Sequence, residues 1–124
     1  MKIESSIGEI VDKLSILQIK KENIFDVEKL SNINKEYLYL HEIVFSELNI
    51  SHDEDYLKLL EVNKKLWVIE DKIRDKERDK QFDEEFIELA RSVYHTNDVR
   101  AKIKKEINLK YGSGFVEEKS YNEY

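Results

Sequence analysis

Residues 53–111 contain two long helical patterns that are separated only by residues 79–82. In both patterns, apolar side chains recur at spacings of three and four, apart from one gap of ten between Val93 and Ile103, which places them on one face of a helix. These apolar residues are Leu59, Val62, Leu66, Ile69 and Ile73 in the first pattern, and Phe82, Phe86, Leu89, Val93, Ile103 and Ile107 in the second. Because so short a connection makes consecutive helices antiparallel neighbours, the sequence predicts a long helical hairpin.

The rest of the chain also favours helices. The 124 residues include no proline and three glycines, two of which are Gly112 and Gly114. A sheet protein of this size would need more turn residues before position 112. We therefore predict a single all-α domain over residues 1–124. An antiparallel bundle of about four helices would occupy residues 1–111, with a short non-helical tail at 112–124 that lies partly back on the bundle.

Capping residues mark the predicted helix starts. Ser6 precedes Glu9, and Ser51 precedes Glu54, at the spacing of a capping box. Asp83 is a suitable N-cap for the last helix. These positions predict helices that begin near residues 6, 51 and 83.

The first helix is predicted to end near Asn23, the third at about Lys80, and the fourth before Gly112, which has the position of a C′ glycine. The apolar face of the first helix consists of Ile3, Ile7, Ile10, Leu14 and Leu17, with Val11 beside it. Asp12 is expected to face away from the core.

Charge and composition exclude several functions. The formal net charge is −6, and charges of both signs are interspersed, so we expect no nucleic-acid partner. No apolar run approaches the roughly 20 residues that span a bilayer, and the N-terminus lacks a hydrophobic signal core, so we expect a cytoplasmic protein without a membrane contact. The absence of cysteine excludes disulfides, thiolate catalysis and cysteine-ligated zinc.

Several stretches resemble one known family. They are SIGEIVDKL (6–14), NKKLWVIEDKIR (63–74), FIELARSVY (86–94), NDVRA (97–101) and VEEKSY (116–121). Together they resemble a family of small bacterial and phage proteins that is catalogued as a domain of unknown function. The resemblance covers nearly the whole chain. It implies a compact helical domain and assigns no catalytic residue.

A line of polar residues runs beside the apolar seam of the hairpin. This candidate site consists of Asn63, Trp67, Glu70 and Arg74 on the first arm and Tyr94, Asn97, Arg100 and Lys104 on the second. Burying such groups costs free energy unless they pair with each other or with a ligand. Two interpretations follow: a structural salt-bridge network that fixes the two helices, or a site for a small anionic ligand, since guanidinium groups suit carboxylates and phosphates.

An acidic motif offers a third possibility. Glu84, Glu85 and Glu88 match the E-E-x-x-E half of the motif with which all-α nucleotide pyrophosphohydrolases hold magnesium, and Asp98 could join them. The partner E-x-x-D is missing, because His95 stands three residues before Asp98. Acidic residues in a first helical turn are also favoured by the helix dipole alone.

The favoured function is a non-enzymatic binding or assembly module without a cofactor. Helices of about 40 Å are expected to extend beyond a bundle made by one short chain. A second copy, or another protein, would cover the exposed apolar face, and a homodimer is the default expectation. The alternative is a magnesium-dependent hydrolase of the pyrophosphohydrolase type.

Overall fold

The computed structural model describes residues 5–112 and contains four α-helices. They are α1 (Ile7–Asn23), α2 (Val27–Glu42), α3 (Leu57–Arg78) and α4 (Glu84–Lys110). All regular structure within residues 5–112 is helical, which confirms the predicted all-α fold and the hairpin of α3 and α4. Ile3 and the predicted tail beyond Gly112 lie outside the described residues.

Short polar side chains begin α1 and α4, as predicted, whereas α3 begins at Leu57 and not near Ser51, because a wider turn, His52–Tyr56, precedes it. The hydroxyl of Ser6 accepts a hydrogen bond from the backbone N–H of Glu9 (3.2 Å), and the carboxylate of Asp83 accepts one from Phe86 (3.0 Å). Satisfying these free amides stabilises the first turn. The carboxylate of Glu9 departs from the capping-box prediction, because it forms an ion pair with Lys104.

The helix ends agree with the sequence. α1 ends at Asn23, and α3 ends at Arg78, two residues before the predicted position. Gly112 follows α4 with φ = 72°, a left-handed conformation that glycine adopts without a Cβ penalty.

Two wide turns connect α2 to α3. The N–H of Leu48 donates to the carbonyl of Ile43 (2.9 Å), and the N–H of Tyr56 donates to the carbonyl of Ser51 (3.1 Å). Both bonds span five residues, the spacing of a π-helical turn. In this wider turn the Ser51 hydroxyl caps the N–H of Asp55 (3.1 Å), one residue beyond the predicted Glu54.

The hydrophobic core lies at the open end of the α3–α4 hairpin, where α1 contacts all three other helices. Its buried members are Val11, Leu14, Ile19, Val44, Ile50, Tyr56, Leu59, Leu60, Val62 and Ile107. They come from α1, the segment between α2 and α3, and the halves of α3 and α4 nearest the open end. The core therefore holds one end of the hairpin.

The far end of the hairpin, residues 70–95, forms an arm. Each of its residues is exposed or half-buried, whereas Ile69 before it and Thr96 after it are buried. Within the arm, the apolar residues Ile73, Leu89 and Val93 are half-buried. The apolar seam of the hairpin therefore continues into the arm, between α3 and α4. The arm thus extends beyond the core, as the helix lengths predict.

Helix α2 packs against α1 and continues into the first wide turn. Each of its residues keeps some exposure to solvent. Val27 is 83% exposed and Leu38 is 67% exposed. Among residues 5–112, no helix combines the length and the apolar character that crossing a membrane requires.

Candidate functional site

A buried carboxylate, Asp12, is the centre of the polar network between α1, α3 and α4. Asp12 is 3% exposed. Its Oδ1 accepts hydrogen bonds from Nδ2 of Asn63 (2.9 Å) and from Nε of Arg100 (2.9 Å), and its Oδ2 accepts one from Nη2 of Arg100 (2.5 Å). The two bonds from Arg100 form a bidentate pair, which is a strong carboxylate interaction in proteins. Three donors thus compensate for the burial of this charge.

Ser15, on α1, is a further member of the hydrogen-bond network. Nδ2 of Asn63 also donates to the hydroxyl of Ser15 (2.7 Å), which in turn donates to the backbone carbonyl of Asp12 (2.7 Å). Ser15 is 0% exposed and Asn63 is 5% exposed. Both hydrogens of the Asn63 amide are therefore used inside the protein.

The start of α1 lies directly against α4. Nζ of Lys104 pairs with the carboxylate of Glu9, and the backbone N–H of Gly8 donates to Oδ1 of Asn108 (2.7 Å). A Cβ on Gly8 would lie 2.6 Å from the carbonyl oxygen of Lys104. Glycine is thus needed at this position because the two helix backbones approach too closely for a side chain.

The buried position of Asp12 corrects the prediction that it faces away from the core. Its hydrogen bonds with α3 and α4 explain the difference, since they compensate for the loss of hydration. Gly8, Asp12 and Ser15 follow each other at spacings of four and three, which is a line of small and polar residues on one helical face. This line was the available signal that α1 makes a polar contact on this face.

The structure brings only part of the predicted polar line together. Asn63 and Arg100 meet at Asp12, and Lys104 lies one turn further along α4. Glu70 and Arg74 are instead exposed and form a loose pair with each other (3.9 Å) on the surface of the arm. They are not part of the Asp12 network: Glu70 lies seven residues and Arg74 eleven residues beyond Asn63 on α3.

The aromatic and amide members of the prediction have separate positions. Trp67 is half-buried against the core, and Asn97 is half-buried on α4. Tyr94 is 61% exposed. Of the two predicted walls of a polar site, Trp67 is thus the more buried and Tyr94 the more exposed.

The chemistry of the network is that of an internal ion pair. Nε and Nη2 of Arg100 are the atoms with which a guanidinium would hold an anionic ligand in bidentate fashion. In this protein they hold the carboxylate of Asp12. The geometry at Arg100 favours the structural interpretation of the polar line over an anion-binding one.

The acidic residues of the magnesium hypothesis are dispersed. Glu85 pairs with Lys76 (3.0 Å), Glu88 pairs with Arg91 (3.7 Å), and Glu84 lies exposed in the first turn of α4. Across residues 5–112, no group of three or more acidic or histidine side chains has the arrangement of a metal site. Glu84, Glu85, Glu88 and Asp98 do not form the cluster that this hypothesis requires.

A second polar cluster joins the start of α3 to the end of α4. Oδ2 of Asp55 accepts hydrogen bonds from the hydroxyl of Tyr111 (2.6 Å), Nζ of Lys110 (2.9 Å) and the hydroxyl of Ser51 (3.3 Å). Burial acts to raise the pKa of Asp55, but the hydrogen bonds from Tyr111 and Lys110 outweigh it and lower the pKa. Sequence reasoning missed this cluster, because Asp55 is separated from Lys110 and Tyr111 by more than fifty positions.

Fold and polar network together define a small all-α domain in which an internal ion-pair network fixes the first helix to a long hairpin. The chain belongs to the family of unknown function DUF6165, whose model matches residues 1–124. This match confirms the resemblance noted in the sequence. A search of curated proteins and a search of solved structures each returned no significant match.

Proposed function

We propose that this protein is a cytosolic, non-enzymatic assembly module that acts as a homodimer. The observation that carries the proposal is the partial exposure of every residue of α2. An amphipathic helix in a domain this small ordinarily buries its apolar side chains against the core. Helix α2 has apolar side chains on two sides and a packing partner, α1, on one of them.

The exposed apolar side chains have a free-energy cost that association would remove. Val27 is 83% exposed and Leu38 is 67% exposed, and Phe25, in the turn before α2, is 84% exposed. Single exposed apolar residues are common on protein surfaces, but several on one helix indicate an interaction surface. A second copy of the chain is the simplest partner, because most oligomers of soluble proteins are symmetric homo-oligomers.

The polar network supports the non-enzymatic part of the proposal. Asp12 and Arg100 form an ion pair with each other. Each charged group is thus engaged by the other and not held ready for a charged substrate. Catalytic sites more often contain groups whose interactions are completed only by the substrate. The network favours a role in positioning α1 against the hairpin.

Sedimentation equilibrium across micromolar concentrations tests the proposal. The chain has a mass of 14.9 kDa, and we expect the measured mass to approach twice this value as the concentration rises. A constant monomer mass at all concentrations would overturn the proposed function.

A further inference from the structure

We infer that the outer groove of α2 is the dimer interface and that α2 of a second copy, running antiparallel, fills it. The inference rests on the homodimer proposed above and names the surface that forms it. The groove follows the side of α2 that faces away from α1. It is lined by Val27, Leu30, Ser31, Asn34, Lys35 and Leu38.

The groove has bulky apolar ends and a narrow centre. Val27 and Leu38, at its two ends, are the most exposed apolar lining residues, while Ser31 and Asn34 lie between them. Small and polar residues at the centre allow two helices to approach closely, and the apolar ends then meet residues of the other helix. The pattern is thus self-complementary.

Two antiparallel α2 helices related by a two-fold axis fit the residue pattern of the groove. If Val27 lies opposite Leu38 of the second copy, symmetry places Leu38 opposite Val27 of that copy, and Ser31 opposite Asn34. Each apolar end then covers the other. In a parallel pair, by contrast, Val27 would face Val27 and Leu38 would face Leu38, which leaves the valine end less well covered.

Charges at the edge of the groove favour the same orientation. Glu28 and Lys35 are both exposed and lie on one flank of the Val27–Leu38 line, seven residues apart. In the antiparallel pair, this flank of one α2 lies against the same flank of the other α2, which runs in the opposite direction. Glu28 of each copy then lies near Lys35 of the other copy, so that two such contacts form. Complementary charges of this kind select the orientation of paired helices.

The size of the surface indicates a weak dimer. Helix α2 has 16 residues, which gives a length of about 24 Å. A single helix pair of this length is smaller than the standard interface of about 800 Å² on each partner. We therefore expect dissociation in the micromolar range.

The arm offers a less suitable surface for self-association. Its seam residues Ile73, Leu89 and Val93 are already half-buried between α3 and α4. Lys76 also links the two helices by ion pairs with Asp83 (2.9 Å) and Glu85 (3.0 Å). Association through α2 would leave both arms of the dimer projecting.

Charge insertion tests the interface. Leu38→Glu and Val27→Glu place carboxylates in the groove at positions that are solvent-exposed in one chain, so that folding should be preserved. We expect each variant to raise the dimer dissociation constant at least tenfold and the pair of substitutions to give a monomer. Val68→Glu, at a 51% exposed valine on α3, is the matched control and should leave the dimer unchanged. Circular dichroism verifies the helical content of each variant.

A charge exchange tests the orientation. Glu28→Lys and Lys35→Glu should each weaken the dimer, and the double variant Glu28→Lys/Lys35→Glu should restore it. A wild-type dimer that survives Val27→Glu/Leu38→Glu but is lost in Ile87→Glu, on the arm, would overturn this inference and leave the homodimer standing. A wild-type monomer would overturn both. Failure of the double exchange to restore association would overturn the antiparallel orientation.

Discussion

The guanidinium of Arg100 donates two hydrogen bonds to the carboxylate of Asp12, which lies 88 positions earlier in the chain. The side chain of Asp12 is 4% exposed and that of Arg100 is 28% exposed. The acid is thus the buried partner, and the arginine reaches it from the edge of the core. This pair fixes the first helix to the last one.

Replacing Arg100 should destabilise the protein strongly. Arg100→Leu leaves the buried carboxylate of Asp12 with Asn63 as its remaining side-chain donor, and removing one member of a buried pair costs about 3 kcal/mol or more. Denaturant titration of the wild type and the variant measures this loss as a lower unfolding midpoint.

Arg74→Leu is the matched control for that measurement. Arg74 is 69% exposed and makes only long contacts with Glu70 (3.9 Å) and Asp71 (3.5 Å). Exposed pairs of this kind contribute at most about 1 kcal/mol. Stabilisation by Arg100→Leu, or equal losses in the two variants, would contradict the structural role of the Asp12 network.

Gly8→Ala should destabilise the protein, although alanine ordinarily stabilises a helix relative to glycine. The new methyl group would lie 2.6 Å from the carbonyl oxygen of Lys104 and 3.0 Å from Oδ1 of Asn108. Because a backbone atom cannot turn away, α1 must move from α4, at a cost of about 1–3 kcal/mol. Thermal unfolding measures the change, and Ser92→Ala on the exposed arm provides a reference. A higher melting temperature for Gly8→Ala would refute the close contact.

Tyr111→Phe should lower stability at neutral pH, and this loss of stability should become smaller in acid. The Tyr111 hydroxyl donates to the ionised carboxylate of Asp55 (2.6 Å), and such bonds contribute about 1.5–3 kcal/mol. Because the pKa of Asp55 is lowered below its ordinary 3.8 in the folded protein, this contribution is present above pH 3.8 and is lost as the pH falls through the folded pKa.

The difference in unfolding free energy between the wild type and Tyr111→Phe should therefore narrow below pH 3.8. The part that remains is due to the N–H of Ser51, which donates to the Tyr111 hydroxyl (3.3 Å) at any pH. Tyr39→Phe, at a 69% exposed tyrosine on α2, controls for the loss of a hydroxyl and should have little effect at any pH. A gap of constant size between wild type and Tyr111→Phe from neutral pH to acid would refute the charge dependence.

Apolar periodicity was sufficient to predict the hairpin, because local spacing determines which face of a helix is apolar. Leu59, Val62, Leu66 and Ile69 are all buried, as that spacing predicts. The extent of burial was less predictable. Ile73 continues the same spacing but is only half-buried, since the core ends before it and this depends on where α1 lies.

The polar network was predictable on the hairpin and missed on α1. The hairpin sequence places Asn63 and Arg100 beside an apolar seam, and Glu70 is the one acidic residue of the predicted polar line. The actual partner, Asp12, comes from a helix whose position depends on long-range packing. A pattern within one helix carries no information about which other helix contacts it.

Magnesium and nucleotides should leave the melting temperature unchanged. Glu85 and Glu88 are engaged with Lys76 and Arg91, and residues 5–112 contain no metal-competent acidic cluster. A bound ligand at one hundred times its dissociation constant would add about 2.7 kcal/mol of stability. Thermal shift with Mg²⁺, Mn²⁺ and a nucleotide panel measures this. A shift that depends on both metal and nucleotide, and is lost in Glu85→Gln, would support the hydrolase alternative instead.

Asp12→Asn and Arg100→Leu should show a strong coupling. Asp12→Asn removes the buried charge while keeping the size of the side chain, so that Arg100→Leu no longer leaves a carboxylate without its main partner. The double variant should then be less destabilised than the sum of the single variants, by about 1–3 kcal/mol. Denaturant unfolding of all four proteins measures this difference.

The same cycle with Arg74→Leu in place of Arg100→Leu should be additive within about 0.5 kcal/mol, because Arg74 lies on the arm and makes no contact with Asp12. Additivity in both cycles would mean that the Asp12–Arg100 pair contributes no interaction free energy, and that other contacts fix α1 to the hairpin.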